Sequence, residues 1–534
     1  MKLHQLSLLG LLMGASCCTA ADLYRVSGVV VDSRTNQPMA KAHVRMLDAH
    51  GVVAASLVTG AGGQFAFDLP EGKYDLTAGT RDLQQHYGKN TAGGYGTGIV
   101  AGPGQDTSNI LFRWSTPGAI SGKIVDQDGE PVRYAKIELL RSTVLFGKRQ
   151  TAHIEWAHTN DLGEYRFAPI GMGSYYFAVT AWPWYSGQAA QGSGYGELNA
   201  AYATEYYPGT TDPARAELLA FAPGEEARAD FTLTRVAGEN LTVAPNIAPG
   251  QQCTVRVTPE GISGSKSYQE QTVVTPGARA DTPGAVIQAV FRSLPPGRYT
   301  ASATCQGNGS RTSASKAIQV NGVDTTVDLA TRPEPVVSAS VSLKHPAARP
   351  HGTLLFRLGN GNGDYLVSSP HPDGSYGPSD VPPGRYEPEF DSPDGYYPSE
   401  IHVTGADYRD GFIDMQEGET ITIQMVASDE LGHVMGYAVR DAKPVGGAIV
   451  VLAPREPSAL HPPLAYQSDS DGSFDFPHTP AGDYLLYGTT DLNLVYTDPA
   501  AYGPLLAGAK AIRVETKGEY KETVTIQDAA HAGR

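Results

Sequence analysis

A turn signature that recurs along the sequence places the strongest constraint on how this chain can fold. The tripeptide Gly-x-Tyr, with a Pro shortly before the Gly, occurs five times, and successive tyrosines lie 87 to 124 residues apart. The copies end at Tyr74, Tyr175, Tyr299, Tyr386 and Tyr484. Self-similarity at a regular spacing is typical of repeat proteins, so the sequence predicts about five modules of roughly 100 residues.

The residues around each copy indicate short β-strands rather than helices. Aromatic residues alternate with other residues after a Gly-containing turn, as in the runs ending at Phe67, Phe167 and Phe476. Alternation with a period of two is typical of a strand that buries one face. Charged residues make up 18% of the chain and Tyr occurs 28 times, which argues against disorder. We therefore predict an all-β chain of tandem immunoglobulin-like or prealbumin-like β-sandwich modules, about five in number, arranged as an elongated array.

The turns between repeats give the expected domain boundaries. A lysine, an apolar run and small residues predict a signal peptide at 1–21, although it stays open whether Cys17 or Cys18 is lipidated. Five sandwich modules are expected at 22–115, 116–236, 237–332, 333–428 and 429–534. The second carries an aromatic loop insertion, and the third carries a pair of cysteines. No later stretch approaches the ~18 consecutive apolar residues of a transmembrane helix.

These motifs resemble a known family. The second module has the fullest set: Gly122-Lys123-Ile124-Val125-Asp126, Gly129-Glu130-Pro131-Val132, Asp161-Leu162-Gly163-Glu164-Tyr165-Arg166-Phe167 and Gly173-Ser174-Tyr175. The pattern resembles the carboxypeptidase regulatory-like domain, a transthyretin-like β-sandwich. It is also similar to the B-type repeats of collagen adhesins and to starch-binding-like sandwiches. The first and fifth modules match nearly as well, and the third and fourth match only in their second halves. The resemblance implies modules without an active site that serve in binding, spacing or adhesion in bacterial envelopes.

Two cysteines remain once the signal peptide is set aside. Cys253 and Cys305 each lie on the same face of a predicted strand as its apolar residues. Both thiols are therefore expected to point inward. In an exported chain two such thiols are expected to form a disulfide, worth about 4 kcal/mol by loop entropy. The alternative is a pair of free core thiols.

Charge and motifs exclude several functions. The net charge is −16 and no cluster of Lys and Arg offers a face for phosphates, so we expect no nucleic-acid partner. None of the 14 histidines has a Glu three residues later, and no Gly-x-Ser-x-Gly sequence occurs. The runs Asp126–Gly129 and Asp469–Gly472 have their Gly too early for a calcium loop and are interpreted as hairpin turns. We expect no enzyme activity, no metal and no cofactor.

One unusual segment is the source of the candidate ligand contacts. Residues 182–208 are rich in aromatic residues, and Trp182, Trp184, Tyr185 and Tyr195 are the candidates. Exposed aromatic faces at a loop are suited to stacking against the CH groups of sugar rings. The alternative is that the loop packs its aromatic residues against its own sandwich.

Together these observations predict a non-catalytic binding or adhesion protein. We expect an exported monomer, in the periplasm, at the cell surface or outside the cell, whose partner is a polysaccharide or an envelope protein. A carbohydrate-binding protein that uses the aromatic loop is one alternative. A mechanical spacer without any ligand is another.

Overall fold

The structure of the chain is a computed structural model. It describes residues 22–89, 96–145, 147–186, 199–248, 250–262, 265, 269–274, 288–307, 309–345, 351–359 and 365–527. The expected signal peptide at 1–21 lies outside these residues. Within the described ranges, no helix has the length and apolar character needed to cross a membrane.

Almost all regular structure is β-strand, as expected, and one pairing scheme recurs five times; each recurrence is called a unit below. The first unit contains β1 (Leu23–Asp32), β2 (His43–Leu47), β3 (Val53–Val58), β4 (Gln64–Pro70), β5 (Gly72–Gly79), β6 (Gln84–His86), β7 (Ile99–Ala101) and β8 (Ile110–Trp114). The second contains β9 (Gly118–Asp126), β10 (Lys136–Leu145), β11 (Lys148–His158), β12 (Glu164–Ile170), β13 (Gly173–Thr180), β14 (Ala200–Tyr202), β15 (Glu205–Tyr206), a 3-10 helix (Pro213–Arg215), β16 (Leu219–Phe221), β17 (Glu226–Arg228), β18 (Phe231–Leu233) and β19 (Arg235–Ala237).

The remaining three units follow the same order. The third contains β20 (Glu239–Pro245), β21 (Gln252–Pro259), β22 (Gln269–Val274), β23 (Ala289–Leu294), β24 (Gly297–Gly307), β25 (Ser310–Val320), β26 (Thr325–Leu329) and β27 (Arg332–Pro333). The fourth contains β28 (Val336–Leu343), β29 (Thr353–Leu358), β30 (Tyr365–Ser368), β31 (Ser375–Tyr376), β32 (Gly384–Asp391), β33 (Tyr397–Thr404), β34 (Asp407–Arg409), β35 (Phe412–Met415) and β36 (Thr420–Ser428). The fifth contains β37 (Leu431–Arg440), β38 (Lys443–Pro444), β39 (Ile449–Pro454), β40 (Leu464–Gln467), β41 (Ser473–Pro480), β42 (Gly482–Thr489), α1 (Pro499–Tyr502), a 3-10 helix (Gly503–Gly508), β43 (Lys510–Val514) and β44 (Glu519–Gln527).

Each unit pairs its strands in the same way. The opening strand lies between an antiparallel strand and a closing strand that runs parallel to it, as β1 lies between β4 and β8. The second strand lies between an edge strand and the Gly-x-Tyr strand, as β2 lies between β3 and β5. The inward faces of these strands supply one main hydrophobic cluster per unit. These clusters fall within the expected module bounds, and the division into five domains at those bounds remains our interpretation.

A glycine in the opening strand lets the closing strand approach in three units. A Cβ atom at Gly28 would lie 2.0 Å from the carbonyl oxygen of Ile110. At Gly122 it would lie 1.9 Å from the carbonyl oxygen of Ala229. At Gly436 the distance to the nearest backbone oxygen would be 1.7 Å. No side chain fits in that space, so the shared Gly of the first, second and fifth units follows from the parallel pairing.

The tyrosine of each Gly-x-Tyr copy makes the same hydrogen bond. Its hydroxyl donates to the backbone carbonyl oxygen four residues earlier, on the far side of the turn. The distances are 3.1 Å for Tyr74, 2.6 Å for Tyr175 and 2.7 Å for Tyr299, Tyr386 and Tyr484. Because all five rings are buried, the bond satisfies a hydroxyl and a turn carbonyl while the ring fills the core.

The predicted disulfide is present in the third unit. Cys253 and Cys305 are directly opposite each other on β21 and β24, and their side chains are fully buried. The bond closes a loop with a sequence separation of 52 residues. It therefore ties two neighbouring strands of one sheet together through the core of the unit.

The fifth unit packs against the first, a contact that modules arranged in a single straight row would not make. The Lys73 ammonium group lies 2.9 Å from the carboxylate of Asp469, whose side chain is only 6% exposed. The Gln467 side chain donates to the carbonyl oxygen of Gly88 at 2.9 Å. The Ser470 amide donates to the carbonyl oxygen of Gly98 at 2.8 Å. Buried polar groups need such partners, and these are supplied by a unit several hundred residues away.

Loss of the disulfide is expected to destabilise the third unit. Replacing both Cys253 and Cys305 with Ala should lower its free energy of unfolding by about 2–4 kcal/mol, because the unfolded chain gains the freedom of the opened loop. Urea unfolding of the full chain measures the change. Reductant should produce the same loss in the native protein and no loss in the double variant. An unchanged transition in the double variant would contradict the prediction.

Removal of one turn hydroxyl is expected to destabilise its unit. Tyr386→Phe should cost about 1 kcal/mol near neutral pH, because the Pro382 carbonyl oxygen loses its donor. Burial, and secondly the charge of Glu334, raises the pKa of Tyr386 to about 12. The native protein should therefore lose stability as the pH rises from about 10 toward 12, whereas Phe does not ionise. The stability advantage of the native protein over Tyr386→Phe should therefore shrink over that range and reverse near pH 12 in urea unfolding, because each pKa unit corresponds to about 1.4 kcal/mol.

Tyr134→Phe is the matched control, because its side chain is 81% exposed. It should leave stability unchanged near neutral pH, because its hydroxyl is exposed to solvent. A loss as large as that of Tyr386→Phe would show that the turn hydrogen bond is not the cause.

Candidate ligand-contact surface

Trp184 is held at the surface by a tight turn that follows β13. The Ser186 amide and hydroxyl both bond to the carbonyl oxygen of Pro183, at 2.9 and 2.8 Å. Pro183 and Ser186 are buried, whereas Trp184 is 77% exposed. The turn therefore uses its own buried residues as an anchor and projects the indole ring outward.

Tyr185 lies against Trp184 in an edge-to-face arrangement. The two ring centroids are 5.6 Å apart and the ring planes meet at 85°. This geometry is favourable for an aromatic pair and fixes both rings relative to each other. The rings form two walls of a corner rather than one flat platform.

A charged pair lies next to this corner. Arg235 belongs to β19, and its guanidinium group donates to the Tyr185 hydroxyl at 3.2 Å. The same group forms an ion pair with Asp128. The hydrogen bond with Tyr185, followed by the nearby carboxylates, raises the pKa of Arg235. Aromatic faces beside fixed donors and acceptors can accept the CH and hydroxyl groups of a sugar.

The turn that carries Asp128 is built by a buried carboxylate. Asp126 accepts hydrogen bonds from the amides of Asp128 and Glu130, at 2.9 and 3.0 Å. Burial, and secondly the charge of Asp126, raises the pKa of Tyr202 to about 12. The Asp126 carboxylate therefore already accepts two backbone hydrogen bonds within its own hairpin turn. Among the described residues, no group of three or more His, Cys, Asp and Glu side chains could hold a metal ion.

Trp182 lies at a different place. It lines a cavity of about 50 Å³ between the second and third units. The other lining residues are Lys136, Thr180, Thr204, Val257, Pro259, Gln269, Leu294, Pro295 and Tyr299. A space of this size is comparable to one or two water molecules, so it is too small for a sugar ring.

The structure thus separates the four candidates that the sequence grouped together. Trp184 and Tyr185 share one surface, Trp182 lines the cavity between units, and Tyr195 lies outside the described residues. Tyr202 and Tyr206 of the same segment are buried at 5% and 3% exposure, as the packing alternative expects. Sequence reasoning missed the ion pair beside Tyr185, since Arg235 lies 50 residues further along the chain.

A buried carboxyl close to this segment gives a prediction about pH. Glu205 on β15 is opposite Val179 on β13 and is 8% exposed, and burial raises its pKa to about 7. The folded state therefore favours the neutral acid, and the native protein loses stability as the pH rises from about 4.5 to 7. Glu205→Gln should be more stable than the native chain at pH 8 by about 1–3 kcal/mol, and of similar stability at pH 4. Urea unfolding at the two pH values measures this difference, and an equal effect at both would contradict the assignment.

The family resemblance is confirmed for the first unit. Residues 25–107 match the family model described as the carboxypeptidase regulatory-like domain. The match covers the first expected module, although the second carries the fuller set of motifs. The comparison with curated proteins returned no match.

Solved structures that match this chain include the TIE protein of Bacillus anthracis and pilins. The TIE protein of Bacillus anthracis is 11% identical, with 76% of this chain and 74% of that chain covered and a TM-score of 0.16. A streptococcal ancillary pilin is 12% identical over 53% of this chain and 98% of its own, with a TM-score of 0.18. BcpA, the major pilin subunit of Bacillus cereus, is 12% identical over 77% of this chain and 99% of its own, with a TM-score of 0.15. Identities and TM-scores at this level carry no conclusion about function.

Proposed function

We propose that this chain is an exported, non-catalytic binding or adhesion protein of the cell envelope. It is built from β-sandwich modules at 22–115, 116–236, 237–332, 333–428 and 429–534, preceded by a signal peptide at 1–21. The match of residues 25–107 to the carboxypeptidase regulatory-like domain supports this proposal, because the resemblance to that family implies accessory modules without an active site. The Cys253–Cys305 disulfide supports export, since such bonds persist in oxidising compartments.

A more specific candidate is that the second module contacts a polysaccharide. The observation that carries it is the 77% exposure of Trp184 beside Tyr185, with an Arg235–Asp128 ion pair next to the aromatic corner. An exposed large ring that is fixed by its neighbours loses little conformational freedom when a ligand binds. Stacking of a sugar on the indole face, with hydroxyl groups directed to the charged pair, is the contact that this corner suits.

The spacer alternative has less support than the binding proposal. A spacer is expected to be an extended row of modules. In this chain the fifth unit instead contacts the first, as in the ion pair between Asp469 and Lys73. This packing is not what a single extended row of modules would show. It is compatible with a protein whose surfaces are presented together for binding.

The test of the carbohydrate proposal is polysaccharide pull-down and glycan-array binding with the purified chain. Trp184→Ala should lower the affinity for a bound glycan by up to about tenfold, because the stacking face is removed. Trp156→Ala is the matched control. Trp156 is also a largely exposed indole on the second unit, at 53%, but its ring partner is His158 on the same strand.

Unchanged glycan binding in Trp184→Ala, or an equal loss in Trp156→Ala, would remove the carbohydrate proposal. The wider binding proposal would survive that result if the chain binds an envelope protein instead. Hydrolase activity of the purified chain that a single substitution abolishes would contradict the non-catalytic assignment.

A further inference from the structure

The contact between the fifth unit and the first is built from polar groups that meet defined partners. The Ser470 amide donates to the carbonyl oxygen of Gly98 at 2.8 Å, and the Val100 amide donates to the Ser470 hydroxyl oxygen at 3.1 Å. Lys73 is opposite Val100 on the neighbouring strand, so its ion pair with Asp469 belongs to the same contact. Backbone and side-chain groups of both units are thus matched, which indicates a specific contact.

A second contact joins the tip of the β10–β11 hairpin in the second unit to the fourth and fifth units. The Lys148 ammonium group lies 2.9 Å from the carboxylate of Glu387 on β32. The Thr497 hydroxyl donates to the carbonyl oxygen of Gly147 at 2.6 Å, and the Tyr496 ring packs against the same glycine. This contact and the one between the first and fifth units are together called the closing interface below.

The closing interface differs in character from the contact between the second and third units. Among the described residues, the hydrophobic clusters of the first, fourth and fifth units each take their members from a single unit. Ile262 of the third unit, in contrast, packs against a cluster of Leu140, Ala178 and Tyr206 in the second. Polar groups that separate regain hydrogen bonds with water, whereas separated apolar surfaces do not. Relative movement of units is therefore expected at the closing interface.

We propose that the closing interface is a reversible latch, which opens when the fourth and fifth units move together away from the first two. Glu334 and Pro335 alone connect β27 of the third unit with β28 of the fourth, and so short a connection is suited to act as the hinge. The fourth and fifth units stay in contact, since the rings of Tyr397 and His461 have centroids 5.4 Å apart. The open state is the extended row of modules that the repeats predict.

Hydrogen exchange tests whether the two contacts open together. Lys148→Glu places two carboxylates opposite each other at Glu387, which disfavours the closed state. The Ser470 amide, at the other contact, should then exchange with solvent at least about tenfold faster, because one opening event exposes both contacts. Arg133→Glu is the matched control. It makes the same change of charge at an exposed position of the same unit, so the exchange of the Ser470 amide should stay as in the native protein.

Small-angle scattering of the full chain measures the opening itself. The Lys73→Glu/Lys148→Glu double variant should have a larger radius of gyration than the native protein, with an unchanged far-UV circular dichroism spectrum. Unchanged exchange of the Ser470 amide in Lys148→Glu would overturn the proposal, because the contacts would then open independently. An unchanged radius of gyration in the double variant would also overturn it. So would an equal expansion of a Lys41→Glu/Arg133→Glu double variant, which has the same net charge.

Discussion

The hydrogen bond from the tyrosine hydroxyl to the carbonyl oxygen four residues earlier is the interaction on which each unit depends. It fixes the turn that leads into the central strand of the second sheet, and the same ring fills the core beneath it. That strand pairs with the second strand of the unit, as β13 pairs with β10. A sandwich of about 100 residues buries a limited apolar area, so a recurrent ring that both packs and bonds contributes a large share of its order.

The parallel closure of each unit imposes a second constraint. In three units the closing strand approaches so closely that a Cβ atom on the opening strand would overlap its carbonyl oxygen. In the third unit, where the opening strand has no such Gly, the disulfide between β21 and β24 supplies an additional tie. The disulfide joins strands of the other sheet of that unit, so it stabilises the unit without replacing the glycine of the parallel closure.

The candidate site shows where sequence reasoning succeeds and where it ends. The exposure of Trp184 agrees with the aromatic segment being a surface feature, because the turn that holds it is made by neighbours in the sequence. Its charged surroundings could not be predicted, since Asp128 lies in a turn before the segment and Arg235 in a strand after it. The short helix that begins after Asp212 illustrates the same limit. The Asp212 side chain caps it by accepting a hydrogen bond from the Ala214 amide, and it ends at Arg215 because Leu219–Phe221 join the sheet.

The sequence by itself determined the all-β class, the recurrent turns and the pairing of Cys253 with Cys305, because local alternation and turn chemistry act over a few residues. Only the tertiary structure decided that the fifth unit packs against the first, where Asp469 forms an ion pair with Lys73. It also decided that the first unit contacts the edge strand β40, because that contact joins parts of the chain that are far apart in the sequence. Contacts between residues separated by most of the chain leave no periodic signal, so the packing of the fifth unit against the first could not be predicted from the repeats.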